Sequence, residues 1–215
     1  MPDHVPPLGL HALTGLYDRV MALTMPEARF RTRIVALAEP RPGEQVLDLG
    51  CGTGELALAL KAAHPDVDVV ALDPDAPALD IARSKFAAAG IDVRVVHGMS
   101  DVTDLEAASF DVVVSSLVLH HLARDAKETV LGDALRLLRP RGRVVVGDWG
   151  EARSWAESAR FLPVRVLDGF AVTEDNTRGR LPDMFREAGF GDVFEHERVA
   201  TVFGPLAIYA ARRPE

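Results

Sequence analysis

Short apolar runs alternate with segments that carry apolar residues at helical spacing through the middle of the chain. Such runs, when they end at turn residues, are typical of buried strands, and the periodic segments between them are typical of amphipathic helices. We expect the helix nearest the end of this series to stop at Pro140 and Gly142. The predicted strands are 46–49, 67–72, 93–97, 110–116 and 143–147, and the predicted helices are 55–63, 76–89 and 124–138.

Strands and helices that alternate at these lengths imply right-handed crossovers and a mostly parallel sheet with helices on both faces. The C-terminal part differs, because a helix over 181–188 is followed by two strand-like segments, 193–203 and 206–212. These two segments meet at Gly204-Pro205, which predicts an antiparallel hairpin at the edge of the sheet. The predicted fold class is therefore α/β, doubly wound, with a mostly parallel seven-stranded sheet.

The chain is expected to form one domain. Residues 10–38 carry apolar positions at helical spacing that are interrupted at Pro26, which predicts two short helices ahead of the first strand. We divide residues 1–215 into four parts: an N-terminal helical cap (1–40), a core (41–150), a lid segment (151–178) and a C-terminal helix with the hairpin (179–215).

Composition and charge restrict the classes of partner. The chain has 215 residues, 48% of them hydrophobic and 26% charged, and a formal net charge of -8. No broad basic face is available for nucleic-acid phosphates or anionic lipid, and no apolar run approaches the roughly 20 residues that cross a bilayer. Cys51 is the single cysteine and the start of the sequence lacks a secretory pattern, so we expect a cytoplasmic protein.

A glycine-rich loop follows the first predicted strand. Gly50, Gly52 and Gly54 alternate immediately before a helix, where a ligand can approach backbone amides. Asp73 stands at the end of the second strand, where a carboxylate can accept hydrogen bonds from a ribose diol. The alternatives are a simple tight turn for the glycines and a helix cap before Pro74 for Asp73.

The spacing of the loop disfavours a nicotinamide oxidoreductase. A dinucleotide loop has the pattern Gly-x-Gly-x-x-Gly, and here Glu55 occupies the place of its third glycine. A side chain at that place would obstruct the close packing of helix and strand around a pyrophosphate. We keep this class as an alternative.

With these residues in place, the chain resembles the class I S-adenosylmethionine-dependent methyltransferases. The loop 48–54 is close to the cofactor loop of that family, and the likeness continues through 71–75, 110–122 and 135–144, so it covers about residues 45–148. Together with Tyr17-Asp18, these segments look most like the small-molecule branch that contains the ubiquinone and menaquinone biosynthesis methyltransferases.

The resemblance implies a role for each matching position. Asp48 would lie near the ammonium group of S-adenosylmethionine, Asp73 would hold the ribose, and the adenine would lie between Pro74 and 99–102. Family members often have an aspartate where this chain has Met99, so Asp101 is the substitute acceptor for the adenine amino group. The implied cofactor contacts are Tyr17, Asp48, Gly50, Cys51, Gly52, Thr53, Gly54, Asp73, Pro74, Met99, Ser100, Asp101 and Ser116.

The reaction centre is expected beyond the carboxyl end of the fourth strand, because open α/β sheets bind ligands there. His120 and His121 follow this strand, and a neutral imidazole could accept a proton from the acceptor; local capping or packing is the alternative. Asp148 and Trp149 either line the same crevice or simply end the fifth strand. Cys51 is interpreted as a packing residue, since no neighbouring base activates its thiol. No residue is assigned to a metal ion.

The predicted function is transfer of a methyl group to a small molecule by direct displacement, with S-adenosylhomocysteine as product. Apolar residues in the segment 155–170 favour a hydrophobic or aromatic acceptor, although core packing explains them equally well. A non-catalytic S-adenosylmethionine-binding module is the alternative from another class. The chain is expected to be a monomer or homodimer.

Overall fold

The computed structural model describes residues 27–101 and 104–215. Its strands are β1 (Gln45–Leu49), β2 (Asp68–Asp73), β3 (Arg94–His97), β4 (Phe110–Ser116), β5 (Leu138–Trp149), β6 (Gly191–Thr201) and β7 (Gly204–Arg212). Its α-helices are α1 (Glu27–Ala38), α2 (Glu55–Ala63), α3 (Ala76–Ala89), α4 (Arg124–Leu137), α5 (Trp155–Asp168), α6 (Phe170–Thr177) and α7 (Leu181–Glu187). None of these helices is long and apolar enough to cross a membrane.

The seven strands form one sheet in the order β3-β2-β1-β4-β5-β7-β6. The strands β1 to β5 pair in parallel, and β7 is antiparallel to both of its neighbours. The predicted doubly wound α/β fold with a C-terminal antiparallel hairpin is confirmed. From β1 the chain adds β2 and β3 on one side of the sheet, and it then returns to add β4 and β5 on the other side. The strand order therefore switches between β1 and β4, and open α/β sheets bind ligands at such a switch point.

Two apolar layers cover the sheet. One layer packs side chains of α1, α2, α3 and α5 against one face, and the other packs α4 and α7 against the opposite face. The valines of β4 contribute to both layers. Because both faces of this strand are buried, its sequence is a continuous β-branched run and does not alternate between apolar and polar residues.

The helix α1 begins at the carboxyl edge of the sheet. Its first half packs on Gly147 near the end of β5, where Phe30 and Ile34 fill the space that a Cβ atom would need. Its last residue, Ala38, accepts a hydrogen bond from Arg143 in the first half of the same strand. The helix therefore runs antiparallel to β5 and is the second of the two predicted N-terminal helices; the first lies outside the described residues.

The prediction for β5 was wrong at its start. The helix α4 ends at Leu137, and Leu138 already pairs with Phe110 of β4. Residues 139–142 then leave the ladder before Arg143 pairs with Val112. Pro140 and Gly142 therefore shape an excursion inside a strand rather than the end of a helix.

Two further details of the C-terminal part differ from the prediction. The hairpin turns at 202–203, and Gly204 and Pro205 already pair with Thr201 and Ala200 at the start of β7. The helix α6 was not predicted, because its residues, Phe170–Thr177, have no clear apolar period.

The predicted lid segment contains α5 and α6. Phe161 and Val164 of α5 are buried in the core beside Trp149, whereas Trp155, Leu162 and Val166 are exposed. Core packing thus accounts for one face of α5 and leaves the other face without a structural explanation.

Candidate functional site

The glycine loop lies between β1 and α2, at the carboxyl edge of the sheet. A Cβ atom at Gly50 would lie 2.5 Å from Val118, and one at Gly54 would lie 2.6 Å from the ring of Phe86 on α3. At Gly52, by contrast, no described atom lies within 4 Å of the place of a Cβ atom. Two of the glycines therefore permit close packing, and the middle one borders open space that a ligand can enter.

Asp73 joins this loop to the end of β2. Its Oδ2 accepts a hydrogen bond of 2.8 Å from the amide of Gly52, and its Oδ1 accepts one of 2.8 Å from the amide of Asp75. The amides of Gly50 and Cys51 both donate to the carbonyl oxygen of Leu72. A carboxylate has about four lone-pair sites, so Asp73 keeps acceptor capacity after both amide bonds are made.

Asp48, the fourth residue of β1, is buried, and neither of its carboxylate oxygens makes a hydrogen bond of good geometry with the described residues. Burial raises the pKa of Asp48 to about 7, the charge of Asp73 adds to this rise, and the Ala57 amide and Arg31 oppose it. A buried carboxylate with so little hydrogen-bond support is costly, and a cationic ligand group would supply a direct partner.

The other loop side chains have structural contacts. The Cys51 thiol is buried, and its pKa is raised by burial and then by Asp48 and Asp73, so the thiol stays protonated. This supports a packing role rather than a nucleophilic one. Thr53 accepts a hydrogen bond of 3.1 Å from Lys85 of α3, which also binds Glu55 at 2.6 Å.

The predicted adenine side is built from the ends of β2 and β3. Met99 is 42% exposed, and Asp101 is exposed, whereas the Ser100 hydroxyl donates to Asp133 of α4 at 2.9 Å. His97, which was not predicted as a site residue, lies with Nε2 3.0 Å from the carbonyl oxygen of Pro74. Residues 102–103 and Tyr17 lie outside the described residues, so their predicted roles stay predictions.

Ser116 and Ser115 end β4 in different ways. The Ser115 hydroxyl donates to the carbonyl oxygen of Leu49 at 2.8 Å and so ties β4 to β1. The Ser116 hydroxyl has no hydrogen-bond partner among the described residues. Leu117 follows with a φ of 60°, and this left-handed residue turns the chain into the 3-10 helix Leu119–His121.

His120 is held by Asp148 at the end of β5. The Nδ1 atom of His120 lies 2.8 Å from Oδ1 of Asp148, and both side chains are buried. The Nε2 atom lies 3.8 Å from Oδ2 of Asp168 at the end of α5. The ring of the exposed His121 lies 3.9 Å from that of His120, centroid to centroid.

Asp148 is a charged group at the centre of a hydrogen-bond network. Its Oδ2 accepts from the amide of Leu119 at 2.8 Å, and its Oδ1 accepts from Asn176 Nδ2 at 3.1 Å and from its own neighbour, the Trp149 amide, at 2.7 Å. Burial by itself raises the pKa of Asp148, but His120, the Trp149 amide and His121 hold it below its usual range. The carboxylate is therefore ionised and fixes the orientation of the His120 ring.

Sequence reasoning missed Asp168 and Asn176. Asn176 also donates to the carbonyl oxygen of Trp149 at 3.1 Å, and the neighbouring Asp175 binds the buried Lys127 and Arg124. No motif marked these residues, since they lie on helices whose place over the sheet edge only the folded chain reveals.

Comparison with known proteins identifies the central part of the chain. Residues 46–142 match a family model described as a methyltransferase domain. This stretch is therefore similar to a methyltransferase domain. The matched stretch includes the glycine loop, Asp73 and both histidines, whereas Asp148 and Asp168 follow it in the chain.

Curated proteins that are similar to this stretch are named for different methyl acceptors. A demethylmenaquinone methyltransferase of Thermus thermophilus is 38% identical over 56% of this chain and 54% of its own length. A 27-O-demethylrifamycin SV methyltransferase of Amycolatopsis mediterranei is 35% identical over 63% of this chain and 50% of its own. A ribosomal RNA small subunit methyltransferase C of Klebsiella pneumoniae is 35% identical over 63% of this chain and 37% of its own. The chain thus spans about half, or less, of the length of these relatives.

Solved structures share the fold of this chain. A phosphoethanolamine N-methyltransferase 2 of Haemonchus contortus, in complex with S-adenosylmethionine, superposes with a TM-score of 0.69. It is 16% identical, and the superposition covers 86% of this chain and 52% of that one. This likeness concerns the fold alone.

Proposed function

We propose that this chain transfers a methyl group from S-adenosylmethionine to a small-molecule acceptor. The observation that carries the proposal is the buried Asp48 carboxylate, which makes no hydrogen bond of good geometry with the described residues, beside a loop that leaves open space at Gly52. This combination suits a ligand that brings a cationic amine against the end of β1. The family match of the domain gives the reaction class.

The residues present fit the cofactor. Asp48 would pair with the ammonium group of the cofactor, and the open space at Gly52 would let the cofactor approach the loop backbone. Asp73 would accept hydrogen bonds from the ribose hydroxyls with the lone pairs that its two amide donors leave free. Pro74 and Met99 would border the adenine. When bound, S-adenosylmethionine supplies an already activated methyl group on a sulfonium.

The protein's own contribution to such a transfer is alignment and the exclusion of water. His120 and His121 lie at the carboxyl end of β4, where an acceptor would meet the methyl group. Asp148 holds Nδ1 of His120, so Nε2 is the ring nitrogen available to an acceptor's proton or to another ligand. The exposed apolar residues Trp155, Leu162 and Val166 on α5 suit an apolar or aromatic acceptor.

A small molecule is favoured over a nucleic acid because the chain carries a net charge of -8. Nucleic-acid binding is dominated by cationic contacts to phosphates, which this composition does not favour. Some relatives are named as ribosomal RNA methyltransferases, so RNA belongs in the acceptor panel as a comparison. A cytoplasmic location and a monomeric or homodimeric state remain predictions.

Calorimetric titration of the purified chain with S-adenosylmethionine, S-adenosylhomocysteine and NAD tests the cofactor assignment. We expect micromolar binding of the first two and none of NAD. An acceptor panel assayed for S-adenosylhomocysteine then tests catalysis. Cofactor binding without turnover on any acceptor would favour the non-catalytic module, and absence of S-adenosylmethionine binding would refute the proposal.

A further inference from the structure

We propose that His120, His121 and Asp168 bind a divalent transition-metal ion. One ligand atom from each residue lies within 4.8 Å of the other two. Two imidazoles and a carboxylate offer three electron-pair donors that converge on one region, and a cation placed among them is attracted by all three. This proposal departs from the sequence-based expectation, which assigned no residue to a metal.

The orientation of His120 supports a ligand role. Its Nδ1 atom lies 2.8 Å from Oδ1 of Asp148, which leaves Nε2 as the ring nitrogen that can bind a metal ion, and Nε2 lies 3.8 Å from Asp168 Oδ2. Metal-binding histidines characteristically donate a hydrogen bond from their second ring nitrogen, often to a carboxylate, and this bond fixes the tautomer and the orientation of the ring. The network of Leu119, Trp149 and Asn176 around Asp148 keeps that carboxylate in place.

The donor set selects the kind of metal. Nitrogen donors from imidazole with one carboxylate oxygen suit Zn²⁺, Co²⁺, Ni²⁺ or Fe²⁺, whereas Mg²⁺ and Ca²⁺ prefer oxygen donors throughout. Ligand atoms around a tetrahedral zinc ion stand about 3.4 Å apart, so the observed 3.8 Å between His120 and Asp168 requires only a small approach.

Three protein ligands leave coordination positions open, as in catalytic rather than structural zinc sites. The two histidines follow β4 and Asp168 ends α5, so a bound ion would join α5 to the carboxyl edge of the sheet. The cluster lies on the side of the crevice where the acceptor is expected, rather than at the glycine loop.

If the chain transfers methyl groups as proposed, a metal ion at this site would favour a particular class of acceptor. An acceptor hydroxyl or thiol at an open position would lose its proton to solvent more readily, because a bound cation lowers its pKa. The new bond then forms between that oxygen or sulfur and the methyl carbon, and the bond from the methyl carbon to the sulfonium sulfur breaks. His120 would serve as a ligand in this case, and the acceptor would be an oxygen or sulfur nucleophile rather than an amine.

The metal site is tested without any cofactor. An untagged chain, stripped with a chelator, is titrated with Zn²⁺ by calorimetry and with Co²⁺ by visible absorption, which reports nitrogen and oxygen ligation directly. We expect one metal ion per chain, with binding at least tenfold weaker in His121→Ala and in Asp168→Asn. His196→Ala, which removes an exposed histidine from β6, is the matched control and should bind as the unchanged chain does. Asp148→Asn should weaken binding about 10- to 100-fold.

The proposal is overturned if no binding is detected at millimolar Zn²⁺, or if His121→Ala and Asp168→Asn bind metal as tightly as the control variant. Titrating the same metal-free chain with S-adenosylmethionine separates this result from the proposed function. Metal binding without cofactor binding refutes the methyltransferase activity and leaves the metal site, whereas cofactor binding without metal binding refutes the metal site alone.

Discussion

The amide of Gly52 donates a hydrogen bond of 2.8 Å to Oδ2 of Asp73, so the open point of the glycine loop and the end of β2 are fixed to each other. The carboxylate that is expected to hold the ribose is thus also a support for the loop. Its removal acts on the cofactor site in two ways, through a lost ligand contact and through a lost loop contact.

Asp73 should be needed both for cofactor affinity and for the stability of the glycine loop. Asp73→Ala should lower the affinity for S-adenosylmethionine by at least about 10- to 100-fold, because hydrogen bonds to charged groups contribute about 1.5–3 kcal/mol each. The variant should remain folded, with a lower melting temperature, since it leaves two backbone amides without their acceptor. Calorimetry and thermal unfolding measure both effects. Asp92→Asn, at an exposed acidic position before β3, is the control, and equal affinity in the two variants would refute the assignment.

Gly52 and Gly54 should differ when each is replaced by alanine. Gly52→Ala places a methyl group in open space at a φ of 51°, which costs about 1–2 kcal/mol of backbone strain and leaves the core intact. Gly54→Ala adds to a similar strain a contact of 2.6 Å with the ring of Phe86. We expect Gly52→Ala to lose mainly cofactor affinity and Gly54→Ala to lose mainly stability. Urea unfolding beside a binding titration tests this, and the reverse order would contradict the description of the loop.

The affinity for S-adenosylmethionine should rise with pH through about 7. Asp48, whose pKa is raised to about 7 by burial, is neutral below this pH and charged above it, and only the charged form pairs with an ammonium group. Titrations at several pH values should show the rise in the unchanged chain. In Asp48→Asn the affinity should be low, with no rise centred near pH 7. A pH-dependent affinity that persists in this variant would assign the effect to another group.

The same carboxylate should make the ligand-free chain less stable as pH rises. The folded state keeps the proton of Asp48 up to about pH 7, whereas the unfolded chain releases it near 3.8, so the folded state binds more protons between these values. The Asp48 contribution is therefore present below about pH 4 and is lost as pH rises to 7. Asp48→Asn should raise the free energy of unfolding at pH 8 by up to about 4 kcal/mol, the free energy that corresponds to the rise of this pKa from 3.8 to about 7. Denaturant unfolding at pH 5 and pH 8 measures it, and an equal change at both would exclude this linkage.

Asn176 should act through Asp148. It donates 3.1 Å hydrogen bonds to Asp148 Oδ1 and to the carbonyl oxygen of Trp149, and it is fully buried. Asn176→Ala should lower the rate of methyl transfer about tenfold or more, since a loosened Asp148 no longer fixes His120, and should leave S-adenosylmethionine affinity unchanged. The control is Thr177→Ala, because that hydroxyl binds only carbonyl oxygens of its own helix. Equal rates in the two variants would refute the role of Asn176.

The sequence was sufficient to predict the parallel strands and the helices between them, because the apolar pattern of these segments agrees with the faces that they bury. The β4 run, 110–116, and the helices 55–63 and 76–89 were predicted with the bounds that the structure has. The prediction failed where strand pairing outweighed the local conformational preference of a residue. Pro140 is typical of a residue that follows a helix, yet Leu138 before it already pairs with β4. Gly204 is typical of a turn, yet it already pairs with β6.

The two halves of the candidate site differ in the same way. The loop and Asp73 follow directly from their order along the chain, because the ends of adjacent parallel strands meet at one edge. Asp168 and Asn176 reach His120 and Asp148 from helices that are distant in sequence and carry no motif. Their placement depends on how α5 and α6 pack over the sheet, which the apolar pattern of 155–177 did not determine.

The contact between Gly50 and Val118 limits how the proposed methyltransferase could change its acceptor. Val118 occupies the space of the missing Gly50 side chain, and it stands two residues before His120. An insertion, or a bulkier residue, in the segment after β4 would therefore press on the glycine loop as well. Mutational libraries aimed at new acceptors should tolerate changes on the exposed face of α5 more readily than changes at 117–119, so diversification of this protein is expected to proceed through its outer helices.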